Sequence, residues 1–143
     1  MSVLKEFVLD SSMALAWCFA DESNPKADAI GARCPRISAF VPSLWPLEIA
    51  NALLMGERRG RSTQADTAKW IAFLRSLPIA VDLETNERVW GDTLNLGRVW
   101  NLSAYDAAYL ELALRRGCPL ATLDSRLQAA ANSAGVPKFE PED

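Results

Sequence analysis

Four acidic residues stand where an α/β chain could use them for chemistry. Asp10 ends the apolar run of "FVLDSS", and Asp124 ends a second such run in "LATLDSRL". Glu48 lies in "LWPLEIANALL" and Asp106 in "SAYDAAYLELA". Each position also has a purely structural explanation. Asp10 and Asp124 immediately precede predicted helices, where a carboxylate that caps the first turn contributes about 1 kcal/mol. Ser103-Ala104-Tyr105-Asp106 resembles a capping box with Asp in place of the usual Glu. Glu48 discriminates better, because its helical neighbours Leu44, Asn51, Ala52 and Met55 form a largely apolar stripe. No Lys or Arg between Arg36 and Arg58 could pair with it locally. A carboxylate facing inward there costs several kcal/mol unless it is paired, metal-bound or protonated; the alternative places it at the stripe's solvated edge. Ser12, two residues after Asp10, and Thr122, two before Asp124, add hydroxyls that could hold a carboxylate or a water. They also suit a helix's first turn and a strand, respectively.

Composition narrows the chemistry. The chain has no histidine, so a Ser-His-Asp triad, a Cys-His pair and histidine-bound zinc are excluded. Carboxylates, hydroxyls, lysines or an oxygen-held metal remain. The formal net charge of −3 gives no global attraction for nucleic acid, though it allows a local basic patch. Cys18, Cys34 and Cys118 are odd in number and widely spaced, which indicates neither a disulfide framework nor a zinc knuckle. A reducing, cytoplasmic setting is expected. No secretory leader pattern opens the sequence, and no apolar run approaches the roughly 20 residues that cross a bilayer. With 143 residues, half of them apolar, the expectation is one folded domain over residues 1–143.

The elements that must position the acids alternate in type, which reads as α/β. Strands are predicted at Phe7–Leu9, Ala39–Val41, Ile79–Val81 and Leu120–Leu123, with a last edge strand at Val136–Phe139. Helices are predicted over Ser11–Ala20, Leu44–Arg59, Thr63–Leu77, Asn86–Trp100, Ala104–Arg116 and Ser125–Ser133. Pro46 falls in a first turn, where proline is tolerated. In parallel sheets ligands sit beyond the carboxyl ends of the strands, at the point where successive connections diverge. Asp10 and Asp124 belong at such ends, Glu48 lies just beyond another, and Asp106 opens a helix that leads back into the sheet.

Three stretches carry a family resemblance. "FVLDSSMALAW", "PSLWPLEIANALL" and "LSAYDAAYLELALRRGCPLATLDSRLQAAANSAGV" resemble the successive blocks of PIN-domain ribonucleases, most closely VapC-type toxins of toxin–antitoxin pairs. The resemblance implies a three-layer α/β fold with a central, mostly parallel sheet flanked by helices. It also implies that Asp10, Glu48, Asp106 and Asp124 form the family's acidic quartet, with Ser12 and Thr122 accompanying. Asp10, Asp106 and Asp124 are then the metal-ligand candidates, and Glu48 either binds metal or orients the attacking water. An RNA substrate, a homodimer and a VapB-like antitoxin, whose arginine would enter the acidic cleft, are implied as partners. The helix carrying Trp70, Phe73 and Leu74 is one candidate dimer surface, unless those side chains pack inward. Arg58, Arg59 and Arg61 receive no role from the resemblance.

Clustered carboxylates repel one another, and a hard divalent cation relieves that repulsion. Mg²⁺ fits because it prefers oxygen ligands, keeps several waters and needs few carboxylates, with Mn²⁺ as its substitute. Metal-activated water would then hydrolyse a phosphodiester. A noncatalytic α/β interaction module, or a PIN ribonuclease of RNA processing that is not a toxin, are the alternatives. Phosphoaspartyl chemistry fits poorly, since Ser12 stands where a second Asp is usual. A receiver domain would want an acidic pair beside Asp10, where Ser11 and Ser12 stand.

Overall fold

In a computed structural model, which describes residues 5–19, 22, 24–33 and 38–140, four parallel strands form the central sheet. They are β1 (Glu6–Leu9), β2 (Ser38–Val41), β3 (Ile79–Val81) and β4 (Leu120–Ala121), in the order β3-β2-β1-β4. Phe7, Val8 and Leu9 are fully buried, as an uninterrupted apolar run must be when helices cover both faces of a parallel sheet. Burying each such side chain contributes roughly 1.5–3 kcal/mol. Among the described residues, eight α-helices surround the sheet: α1 (Ser11–Cys18), α2 (Pro25–Arg33), α3 (Trp45–Arg58), α4 (Gln64–Arg75), α5 (Thr85–Arg88), α6 (Leu94–Trp100), α7 (Ala104–Arg116) and α8 (Ser125–Ser133). The expected fold class is therefore the one observed.

Several boundaries differ from expectation. The first helix ends at Cys18; Ala20, like Cys34 and Arg36, lies outside the described residues. Helix α2 was not anticipated, because Pro25-Lys26-Ala27-Asp28 mixes a proline and charges with too few apolar residues for a clear stripe. The helix expected over Asn86–Trp100 is instead α5 and α6 joined by a π-helical turn at Val89–Thr93. Strand β4 stops at Ala121, and the expected strand at Val136–Phe139 is reduced to a single parallel bridge between Leu120 and Lys138. Edge pairing needs few residues when Phe139 stacks on Phe7 with ring centroids 4.3 Å apart.

The sequence order of the strands creates the crevice. From β1 the chain moves to β2 and β3 on one side, whereas β4 pairs on β1's other side. Connections thus diverge between β1 and β4, the place where open α/β sheets bind ligands. On the other flank, Arg115 of α7 bonds Asp82 at 2.7 Å and Glu111 at 2.8 Å, which ties α7 to the end of β3. The Arg115 hydrogen bonds hold the Asp82 carboxyl below its ordinary range. Arg61 pairs with Glu22 and lies over the Phe19 ring. Trp70 packs on Phe19, Leu74 is buried, and Phe73 meets Trp17 edge-on while 41% exposed. Most of that proposed dimer surface therefore faces α1. Among the described residues, no helix is long and apolar enough to cross a membrane.

Candidate active site

The site starts where β1 ends. The Asp10 N–H donates to the Ala121 carbonyl at 3.0 Å, so the two strand ends leave the sheet side by side. Asp10 occupies the cap position of α1, but its side chain makes no capping hydrogen bond. Its Oδ2 instead accepts from Ser12 Oγ at 2.7 Å and from Thr122 Oγ1 at 2.6 Å. The same hydroxyls reach onward. Ser12 Oγ accepts from the Leu123 N–H, and Thr122 Oγ1 from the Asp124 N–H, both at 3.0 Å. Lys26 of α2 donates to the Thr122 carbonyl at 3.2 Å. This web fixes the β4–α8 turn against the end of β1, and with it the separation of Asp10 and Asp124. Asp124 does cap its helix: Oδ1 accepts from the Arg126 and Leu127 N–H groups at 2.9 and 3.1 Å.

The other two acids arrive on helices. The inward stripe of α3 is Trp45, Ile49, Leu53 and Gly56, not the row of Leu44, Ala52 and Met55 that includes Glu48. Glu48 lies beside that stripe and is half-buried. Glu48 thus takes the edge placement, the second of the two the sequence left open, and no arginine or lysine pairs with it among the described residues. Its Oε1 accepts a hydrogen bond from the Tyr109 hydroxyl. Helix α7 is aimed by the turn before it. Asn101 takes a left-handed φ of 54°, and the Leu102 N–H bonds the Gly97 carbonyl at 3.0 Å. A Cβ on Gly97 would stand 3.1 Å from the Leu102 carbonyl oxygen, so this turn favours glycine. Ser103 then caps α7 by accepting from the Asp106 N–H at 3.1 Å, and the Asp106 carboxylate does not close the box.

The acids also act on one another through their charges. Burial raises the Asp10 carboxyl above its ordinary range; the Thr122 and Ser12 hydrogen bonds oppose this, and the Asp124 charge adds to it. Glu48 is raised first by burial, against the Tyr109 bond, and further by Asp10 and Asp106. Asp106 is raised by burial and by the charges of Asp124 and Asp10, with Arg126 and the Ser103 bond opposing. The four sequence-predicted acids thus lie within reach of one another's charge, with Ser12 and Thr122 bonded to Asp10. Tyr109 was overlooked. A signal existed: a tyrosine on an apolar helix face, one turn from Asp106, needs a partner for its hydroxyl once buried.

The donor set consists of oxygens, which fits a hard cation. Among the described residues, no three acids or cysteines converge closely enough to enclose an ion. Two cavities of about 410 and 440 Å³ have no lining residue in common with the quartet. One lies between α5, α6 and α7; the other lies between α3, α4 and β3.

The fold is similar to the crystal structure of PAE2754 from Pyrobaculum aerophilum, with a TM-score of 0.65 and 23% sequence identity over 88% of this chain and 84% of that one. No curated protein matches in sequence. The PIN domain family matches residues 7–133. That span runs from β1 through α8 and includes every acid of the quartet. The chain belongs to the PIN domain family and so has a nuclease fold.

Proposed function

We propose that this PIN domain is a metal-dependent endoribonuclease, the toxin of a VapC-like toxin–antitoxin pair, with residues 1–143 acting as one nuclease domain. The observation that supports this best is Asp10: it is 5% exposed, makes no cap bond, and is held by two hydroxyls beside three other acids. A carboxylate needed only as a cap would not be buried against its own charge. Asp10, Asp106 and Asp124 would offer oxygen ligands to Mg²⁺ or Mn²⁺, in part through bound waters, and the ion would supply charge stabilisation at the phosphoryl oxygens and acidify the attacking water. Glu48 orients that water and takes its proton, a task aided by the raised proton affinity that burial gives it. Ser12 and Thr122 keep Asp10 in one orientation.

RNA is the substrate in this reading, a second copy of the chain and a VapB-like antitoxin are the partners, and the cytoplasm is the setting. There the thiols of Cys18 and Cys118, pushed up to about 11 by burial, stay protonated. An antitoxin arginine placed beside the quartet would bind carboxylates through its planar fork and block the site without unfolding it. The test is cleavage of single-stranded RNA by purified protein with Mg²⁺, Mn²⁺ or excess chelator, with Glu48→Gln, reduced to a small residual rate, as the control. Cleavage that survives excess chelator, or that Glu48→Gln retains at the wild-type rate, overturns the reading.

A further inference from the structure

Tyr109 performs a task that neither the acids nor their hydroxyls explain. It stands three residues after Asp106 on α7, so the two side chains share a helix face. Its ring is fully buried in the core, which leaves the phenol no room to swing. The hydroxyl emerges from the core at Glu48 and donates to Oε1. Among the described residues this is the only side-chain hydrogen bond that joins α3 to α7. The Ser11 hydroxyl also acts on both groups, but it stands on α1 and does not join α3 to α7. A buried hydroxyl is costly to leave without an acceptor, and a glutamate without its donor regains rotamer freedom. Burial and the Glu48 hydrogen bond raise the phenol's proton affinity, so the hydroxyl remains a donor across the working pH range.

We propose that Tyr109 is a positioning residue: its hydroxyl locks the Glu48 carboxylate in one rotamer and ties the helix bearing Glu48 to the helix bearing Asp106. The inference rests on the nuclease reading of the quartet. Tyr109→Phe preserves the buried ring and removes only the lock. A misplacement of about 1 Å at a reacting centre costs on the order of 10²-fold in rate, so kcat should fall by roughly 10- to 100-fold. KM for RNA should change by less than about twofold, because the phenol binds Glu48 and not the substrate.

A double-mutant cycle with Glu48→Ala separates this role from simple loss of stability. Where Glu48 is absent, Tyr109→Phe should leave the residual rate unchanged; an equal fractional loss in both backgrounds, or wild-type kcat in Tyr109→Phe, overturns the proposal. A second readout needs neither metal nor activity. The chain has two tyrosines, and Tyr105 is 66% exposed, so tyrosine labelled with ¹³C at Cζ gives two resonances, assigned with Tyr105→Phe. Glu48→Ala should move the Tyr109 resonance and leave that of Tyr105 in place. An unmoved Tyr109 resonance overturns the tie even if RNA is cleaved. If the wild type cleaves no RNA but that resonance moves, the nuclease reading fails and the Tyr109–Glu48 tie stands.

Discussion

Helices α4 and α7 begin with the same pattern, Thr63-x-x-Asp66 and Ser103-x-x-Asp106, and use it differently. At α4 the box is closed: the Asp66 N–H donates to Thr63 Oγ1 at 3.1 Å, and the Thr63 N–H donates to Asp66 Oδ2 at 3.0 Å. At α7 the hydroxyl half is made and the carboxylate half is not. The cap residues differ in φ, −115° at Thr63 and −64° at Ser103. Their surroundings differ more. Both caps are exposed, but at α7 burial and the charges of Asp124 and Asp10 raise the Asp106 carboxyl. One motif therefore yields a finished cap in one place and an uncommitted carboxylate in the other, and the uncommitted one lies at the switch point of the sheet.

The largest expected effect breaks the symmetry outright. Asp106→Asn should reduce RNA cleavage by more than about 100-fold, since even groups that only support a metal ligand cost 10–100-fold. Asp66→Asn, an identical change in an identical motif, should cleave at the wild-type rate. Asp124→Asn should follow Asp106→Asn while keeping the fold, because asparagine also caps well, and so should Asp10→Asn, whose amide oxygen can still accept from Ser12 and Thr122. Equal activity in the Asp106 and Asp66 variants, measured by single-turnover kinetics, would remove Asp106 from the site.

Next in size is stabilisation by the cation. Saturation at 100 times the dissociation constant adds about 2.7 kcal/mol to folding stability. Mn²⁺ should therefore raise the melting temperature of the wild type and of Asp66→Asn alike, and that of Asp106→Asn much less. Without metal the pH dependence has a definite sign. Asp10, Glu48 and Asp106 all have carboxyls raised in the folded state, so the folded chain holds protons that the unfolded chain releases. Stability from this source is complete below the ordinary carboxylate range, near pH 4, and is lost as pH rises through the raised folded values. Urea titrations across that window should show a steeper loss for the wild type than for Asp106→Asn. Parallel curves would mean that Asp106 stands outside the cluster.

The places of three acids in the fold were legible because each sits at a boundary that chain chemistry marks. Asp10 follows a buried apolar run, Asp124 follows another, and Asp106 opens a strongly periodic helix. The parallel sheet was legible for the same reason, in Phe7–Leu9 and Ile79–Val81. What stayed hidden depends on partners distant in the chain. Nothing local to Thr122 shows that its hydroxyl bonds Asp10, 112 residues away, and nothing local to Tyr109 selects Glu48. The placement of Glu48 stayed open because apolar residues occupy more than one face of α3, and only the packing of Trp45, Ile49 and Leu53 identifies the inward one. Helix α2 went unseen because tertiary contacts, including the Trp17 Nε1 hydrogen bond to the Ala27 carbonyl at 2.7 Å, supply what its own periodicity does not.

The smallest expected effect tests the caps themselves. Losing a Ser or Thr cap typically costs about 0.5–2 kcal/mol. Thr63→Ala removes the acceptor for the Asp66 N–H and weakens the geometry of the return bond, because the two halves of a box support each other. Its cost should lie toward the upper end of that range. Ser103→Ala removes one hydrogen bond from an exposed cap that has no return half, and should lie toward the lower end. A carboxylate already repelled by Asp10 and Asp124 loses little more when the Ser103 hydroxyl departs, so metal-dependent cleavage in Ser103→Ala should stay close to that of the wild type. Chemical denaturation of both variants without metal, followed by cleavage assays with Mg²⁺, measures the two quantities separately. If Ser103→Ala destabilises more than Thr63→Ala, or loses cleavage while remaining folded, then the half-open box at α7 holds Asp106 in place and is more than a cap left unfinished.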